Sequence, residues 1–246
     1  MRFIILTRKK LILIASCIIT SIIAIALSVH SIGVFANQSK SNRKLPIYCV
    51  DKQEKVVSLS FDAAWGNEQT QTLLDILKEK DVKSTFFLVG FWAEKYPESV
   101  KAIHDAGHDV GNHSNTHPHL PKLPLDKIES EIEECNKKVE KVTSLRPTLF
   151  RPPYGDYDNN VVETTNKLNM HCIQWDVDSL DWKDPTPEDM VKRIKSKIKP
   201  GSIILMHNGA KNTPAALPKI IDSIKEEGYS IVPISQIIYT ENYHMD

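Results

Sequence analysis

The sequence predicts a parallel α/β domain. From about residue 55 onward, short apolar runs of strand character alternate with amphipathic helical stretches. Five of those runs end in Asp, His or Arg, which is where parallel α/β folds keep their ligand and catalytic groups. At 246 residues the chain is also long enough for a large core. The alternation by itself leaves a closed barrel and a doubly wound sheet equally open.

The first strand is "VVSLSF" (56–61), an apolar run that Asp62 ends. A helix over about 69–80 follows, with Leu73, Leu74 and Leu77 on one face. "STFFLVG" is the second strand, a helix then ends near Gly107, and "HDVGN" is the third strand, followed by His113. The next helix begins at Asp126. Ile128, Ile132, Cys135, Val139 and Val142 step by four and three along it, and Asp126 with Glu129 has the form of a capping box. "PTLFR", "MHCIQWDV" and "SIILMH" supply further strands, ending at Arg151, before Asp178 and Asp181, and at His207. Helices near 159–168, 187–198 and 215–227 accompany them; Gly228 stops the last one and "YSIVPI" closes the series.

Lys+Arg and Asp+Glu are both 31, so the balance gives no electrostatic reason to expect nucleic acid as a partner. The N-terminus is more informative. Arg2, Arg8, Lys9 and Lys10 precede an uncharged run, Leu11 to Val29, whose 19 residues match the roughly 20 that a helix needs to cross a bilayer. A cleaved signal peptide has a shorter apolar region, about 7–15 residues. A membrane anchor is therefore expected, its cationic flank in the cytoplasm and everything after about residue 36 outside. Val34-Phe35-Ala36 offers the alternative, cleavage and secretion. "IASC", ending at Cys17, resembles a lipoprotein box, but the apolar run continues past it. The expected organisation is an anchor or signal at 1–36, a linker with a first short strand at 37–54, the main domain at 55–240 and a tail at 241–246. Outside the apolar segment, Cys49, Cys135 and Cys172 make an odd set, which argues against a disulfide scaffold. Cys135 and Cys172 read as small buried hydrophobes.

His113 and His117 are four apart, so one helical turn ended by Pro118 would aim both imidazoles the same way. Such a pair suits Zn²⁺ or a similar ion, although HxxxH alone is as often a hydrogen-bonded pair. His119 is read as a neighbour without a role, and His30, His104, His108, His171 and His244 as ordinary. Singly, Asp62 could cap a turn, Arg151 could be a solvated cation, Trp182 could be core and His207 could belong to a turn. On successive strand ends, they fit a shared hydrolytic site better.

"SFDAAWG", "HSNTH", "RPPYG", "DSLDW" and "LMH", in that order, resemble the five motifs of the polysaccharide deacetylases, the NodB-homology group or carbohydrate esterase family 4. The resemblance covers about residues 55 to 240, and "FDAAWGNE" is most similar to the sporulation-associated (PdaB-type) branch. It implies a distorted (β/α)₇ barrel that removes N-acetyl groups from GlcNAc- or MurNAc-type sugars of cell-wall polysaccharide with a divalent metal, Zn or Co. By the same resemblance Asp62 is the catalytic base, held by Arg151, and His113 and His117 are metal ligands. The Tyr154 backbone N–H binds the oxyanion, Trp182 and Leu205 line the acetyl pocket, and Asp181 orients the general acid His207. These roles suit amide hydrolysis, which needs an activated water, an ionised base and an acid for the departing amine.

One position departs from the pattern. The family's second motif-1 aspartate, a metal ligand, is Ala63 here. Two imidazoles then hold the ion weakly, or Asp62 becomes a ligand, or Glu68 or Asn67 swings in. The alternatives to a cell-wall deacetylase are a wall-glycan binding protein on the same fold and an amidohydrolase for another C–N bond.

Overall fold

The structure, a computed structural model, describes residues 8–9, 18–23 and 43–240. It divides into two compact units at Arg43 and Lys44. In the first, residues 18–23 are helical and Ile18, Ile19, Ile22 and Ile23 are exposed. They belong to the apolar run read as an anchor; the rest of that run, with Cys17, His30, Ala36 and the tail with His244, lies outside the described residues. Among the described residues no helix is long and apolar enough to cross a membrane.

The second unit is built on parallel strands: β1 (Val56–Ala63), β2 (Thr85–Leu88), β3 (Asp109–Asn112), β4 (Leu149–Phe150), β5 (His171–Cys172), β6 (Val177–Asp178), β7 (Ile203–His207) and β8 (Ser230–Ile231). The sheet runs β5-β4-β3-β2-β1-β7-β6, and β8 pairs with the start of β1. This curled, parallel half-barrel agrees with the expected α/β class. Its central strand is buried along nearly its whole length, as expected when helices cover a parallel sheet.

Among the described residues eight helices of this unit accompany the strands: α1 (Thr70–Glu79), α2 (Gly90–Lys95), α3 (Pro97–Asp105), α4 (Leu125–Thr143), α5 (Asn159–Lys167), α6 (Pro187–Lys195), α7 (Thr213–Glu226) and, after the last strand, α8 (Ile234–Ile237). The stripe expected on α4 is real: Ile128, Ile132, Cys135 and Val139 are buried and Val142 packs on the core. Its capping box is not. Pro124 is the N-cap, Asp126 already lies in the first turn, and Glu129 reaches out to Lys167 at 3.0 Å. Pro97 separates α2 from α3, because a proline disfavours helical backbone at the residue before it.

A second correction concerns "MHCIQWDV". It forms two short strands, β5 and β6, on opposite edges of the sheet. Asp176 breaks the run: its Oδ1 accepts from the Ile203 N–H (2.9 Å) and its Oδ2 from Ser202 Oγ (2.9 Å). The gap between those edges is bridged at one end by residues of the 37–54 stretch, expected to hold a linker and a first short strand; Ile47 and Cys49 form isolated bridges there. Ile47 donates to the Cys172 carbonyl and accepts from the Gln174 N–H, while the Val50 N–H donates to Gly201 O at 3.0 Å. The compact unit accordingly starts at Lys44.

Cys49 is half-buried, Cys135 and Cys172 are buried, and all three are free. Burial pushes the Cys135 and Cys172 thiols up to about 12, so both behave as small hydrophobes.

The strap ties down at one glycine. Gly201 has φ +80°, and a Cβ there would lie 1.7 Å from the Val50 carbonyl oxygen. Gly201→Ala is expected to lower unfolding free energy by at least about 2 kcal/mol, combining left-handed backbone cost with a backbone clash, as read by urea titration.

Candidate active site

Strand register assembles the site. In the β1–β7 pairing Asp62 stands opposite His207. In β3–β4, Asn112 stands opposite Phe150, so His113 and Arg151 leave the sheet together one residue later, the Arg151 N–H donating to Asn112 O at 2.9 Å. Four chain segments far apart in sequence thus deliver their side chains to one rim.

Arg151 is 0% exposed. Its Nη1 donates to Asp62 Oδ1 (2.8 Å), its Nη2 to Ser60 Oγ (2.9 Å) and the Gln174 carbonyl (3.1 Å), and its guanidinium covers the Phe87 ring at 4.1 Å. Burial would raise the Asp62 pKa, but the Arg151 charge, helped by His113, His207 and the Arg151 hydrogen bond, holds it below the usual carboxylate value.

His113 Nδ1 lies 2.7 Å from the Arg151 carbonyl oxygen, an acceptor only, so Nδ1 carries the proton and Nε2 the lone pair. That Nε2 faces Asp62 Oδ2 at 3.4 Å. Burial keeps His113 neutral despite the carboxylate beside it. Two acceptors confront each other, a mismatch that a shared cation or water proton relieves.

The expected helical turn at His113–His117 is absent. Ser114 and His117 take left-handed backbone (φ 66° and 61°), and the His117 N–H donates to Ser114 Oγ at 3.0 Å. Glu131 of α4 ties the loop by accepting from the Asn115 and Thr116 N–H groups. The two imidazoles still meet, edge to face, with centroids 4.9 Å apart. His117 Nδ1 is buried with no hydrogen-bond partner, and burial and the neighbouring His113 drop its pKa to about 4. The loop, not a helix, does the aiming.

Across the rim, Asp181 Oδ1 lies 2.7 Å from His207 Nδ1. Its Oδ2 accepts from the His207 backbone N–H (2.7 Å) and from Thr213 Oγ1 (2.8 Å). Burial would lower the His207 pKa, but the hydrogen bond and charge of Asp181 raise it above the ordinary histidine value.

These groups border a cavity of about 730 Å³ lined by Asp62, His113, His117, Tyr154, Trp182, Leu205 and His207, among others. Arg151 and Asp181 stand behind it as supports. Tyr154 and Leu180 carry positive φ (60° and 58°), as Ser114 and His117 do, so the rim loops hold strained backbone. Sequence reasoning missed Ser60, Gln174 and Thr213, which anchor Arg151 and Asp181. Nothing local in the sequence marks a Ser, Gln or Thr as the acceptor or donor for a distant charge.

Neither position 63 nor the loop after β1 supplies a third metal ligand. The Ala63 methyl is buried in the sheet. Glu68 Oε2 turns back onto the Asn67 N–H (2.9 Å), and Asn67 Oδ1 accepts from Ser99 Oγ (2.9 Å); neither borders the cavity. Among the described residues no group of three or more His, Cys, Asp or Glu side chains is placed to hold a metal. The lone pair of His113 Nε2 and the unpartnered His117 nitrogen nevertheless fit a divalent ion with two imidazole ligands, and of the three expected candidates only Asp62, on β1, lies beside them.

Asp62→Asn strips the charge partner from a fully buried guanidinium. A loss of about 3–5 kcal/mol is expected by urea titration at neutral pH. Because the folded pKa of Asp62 is depressed, its contribution is present above the unfolded carboxylate value and fades as pH falls through the lower folded one. The gap between wild type and variant should therefore narrow in acid.

A sequence profile described as polysaccharide deacetylase matches residues 50–173, the span that carries Asp62, His113, His117 and Arg151. The chain is 34% identical over 193 residues to the protein YlxY of Bacillus subtilis, covering 78% of this chain and 60% of that one. It is 35% identical to the peptidoglycan-N-acetylmuramic acid deacetylase PdaC of the same organism, over 76% of this chain and 40% of that one. The chain thus spans only about 40–60% of these two relatives. Among solved structures, wild-type BA3943 from Bacillus anthracis, described as a CE4 family pseudoenzyme, superposes with a TM-score of 0.76 at 39% identity, covering 78% of this chain and 68% of that one. On the combined weight of that profile and these relatives, the chain belongs to the polysaccharide deacetylase family, the NodB-homology or CE4 group.

Proposed function

We propose that this protein hydrolyses the N-acetyl amide of GlcNAc- or MurNAc-type sugars in cell-wall glycan. The observation that carries this is the meeting, at one cavity, of a buried carboxylate paired with a guanidinium (Asp62–Arg151) and a histidine whose pKa a carboxylate raises (His207–Asp181). Amide hydrolysis needs those two groups on opposite sides of the scissile bond. Names of relatives such as the B. subtilis deacetylase PdaC support the substrate class.

In this scheme Asp62 takes a proton from the attacking water, and Arg151 keeps the carboxylate ionised and fixed. His207, protonated on Nε2, gives a proton to the departing sugar amine while Asp181 holds its Nδ1–H. The Tyr154 N–H donates to the oxyanion, and Trp182 and Leu205 enclose the acetyl methyl. A divalent ion, Zn²⁺ or Co²⁺, held by His113 and His117 would acidify a water and polarise the amide carbonyl.

The 1–36 segment would anchor the domain to the membrane, or direct its secretion if cleaved, leaving the 44–240 domain outside the cytoplasm. A link to sporulation rests on "FDAAWGNE" alone.

Ala63 favours a second reading, glycan binding without turnover, and the similarity to a structure described as a pseudoenzyme supports it. The two separate in one assay, acetate release from N-acetylglucosamine oligomers with added Zn²⁺ or Co²⁺. Under the first, Asp62→Asn and His207→Ala each lower kcat/KM by roughly 10²–10⁴-fold; undiminished release in both variants removes it. Under the second, no acetate appears, and Ala63→Asp raises metal content and starts turnover. Release by wild type counts against the second.

Activity should follow a bell in pH. The acid limb belongs to Asp62 and lies below the ordinary carboxylate value; the alkaline limb belongs to His207 and lies above the ordinary histidine value. Asp181→Asn removes the charge that raises His207, so the alkaline limb should move to lower pH, as measured by kcat/KM across buffers.

A further inference from the structure

Three aromatic side chains on the cavity rim have no part in the hydrolytic scheme as proton carriers, yet stand in water. Trp65 is 64% exposed, Tyr154 and Trp182 each 57%, and all three border the cavity. They come from the loops after β1, β4 and β6. Folding gains little from an indole left outside, so a rim of exposed aromatics marks a contact surface.

Trp65 is also held still. Its carbonyl lies against Gly209, where a Cβ would come within 2.6 Å. The adjoining Gly66, at φ +74°, accepts from Trp92 Nε1 at 2.7 Å and from Asn208 Nδ2 at 3.4 Å. The ring leans on Phe91 with centroids 6.5 Å apart and meets His117 edge-on at 4.9 Å. His117 touches Tyr154 at 4.5 Å, and Tyr154 stacks on His119 at 4.3 Å, whose Nδ1 lies 3.0 Å from Asp156. His119 thus has a bracing contact that its sequence position did not suggest. Together the rings form one continuous arc, and Trp182 stands apart from it on the β6 side.

A rigid apolar face beside polar groups matches a pyranose ring, which has an apolar C–H face and hydroxyls at its edge. Charges of both signs, Asp178, Asp184 and Lys211, also border the cavity, which suits an uncharged ring better than a strongly ionic ligand. The volume of about 730 Å³ exceeds what one acetamide group needs and falls within the roughly 300–1,000 Å³ of pockets that take drug-sized ligands.

We infer that Trp65 is the stacking platform for a sugar ring next to the acetylated one, and that this side chain sets how binding depends on glycan length. The identity of the central sugar rests on the deacetylase proposal; the platform itself does not need turnover.

Calorimetric titration of the full-length protein with N-acetylglucosamine oligomers of one to four units tests this, alongside acetate release from the same oligomers. Affinity is expected to rise with length. Trp65→Ala should cut trimer affinity roughly ten-fold and flatten the length dependence, whereas Trp65→Phe, which keeps a ring, should retain most of it. Circular dichroism and urea titration confirm that both variants fold. An unchanged length dependence in Trp65→Ala overturns the platform, whatever the turnover. Length-dependent binding that Trp65→Ala abolishes, without acetate release by wild type, supports the platform and removes the deacetylase proposal. Failure of every oligomer to bind wild type overturns both.

Discussion

The buried ion pair between Arg151 and Asp62 is the interaction on which the rest of the site depends. A guanidinium with no exposed surface is tolerated only because its charge is matched and four acceptors or rings surround it: Asp62, Ser60, the Gln174 carbonyl and the Phe87 face. That requirement ties β1, β4 and the segment after β5 together at one height in the sheet. The same arginine's backbone carbonyl then takes the His113 Nδ1–H, so one residue sets both the ionisation of the base and the tautomer of the neighbouring imidazole. A change at Arg151 would alter the charge beside Asp62 and the hydrogen bond that orients His113 at once.

Across the cavity the His207–Asp181 pair follows the same logic in reverse. There the carboxylate is the buried support and the histidine faces the cavity. Asp181 also accepts from a backbone N–H and from Thr213 Oγ1, which fix its carboxylate behind the imidazole. Each dyad places the group that must change protonation toward the ligand and keeps its counter-ion behind. Such an arrangement lets one site hold an acid and a base without their neutralising each other, even though Asp62 and His207 are opposite one another on adjacent strands. Between the dyads the imidazole pair remains, two neutral donors where a third anionic one is replaced by the methyl of Ala63. The two dyads are complete in hydrogen bonds, while the imidazole pair between them has no carboxylate at position 63 beside it.

Much of this was legible in the chain. The strand–helix alternation, the α4 core stripe, the polar residues at five strand ends and the motif order are all read from local pattern, because burial imposes its period directly on sequence. The strand-end pattern also pointed to residues that lie together: Asp62, His113, His117 and His207 line one cavity, with Arg151 hydrogen-bonded to Asp62 and Asp181 to His207. The failures are local interactions that a distant partner overrides. "MHCIQWDV" reads as one strand, yet Asp176 takes hydrogen bonds from Ser202 and Ile203 and sends its halves to opposite edges. The histidine pair is aimed by a left-handed loop pinned from α4, and the capping box gives way to a contact between Glu129 and Lys167.

The sequence by itself determined the class of fold and the chemical types available, since these are properties of residue identity and spacing; the resemblance to the family pattern marked Ala63 as the position where a second aspartate is expected. Tertiary structure decided which nitrogen of His113 carries its proton, that Glu68 and Asn67 bond elsewhere, and that Trp65 stands exposed beside the cavity. Those outcomes depend on contacts between segments separated by tens of residues, where strand register and not local propensity selects the partner.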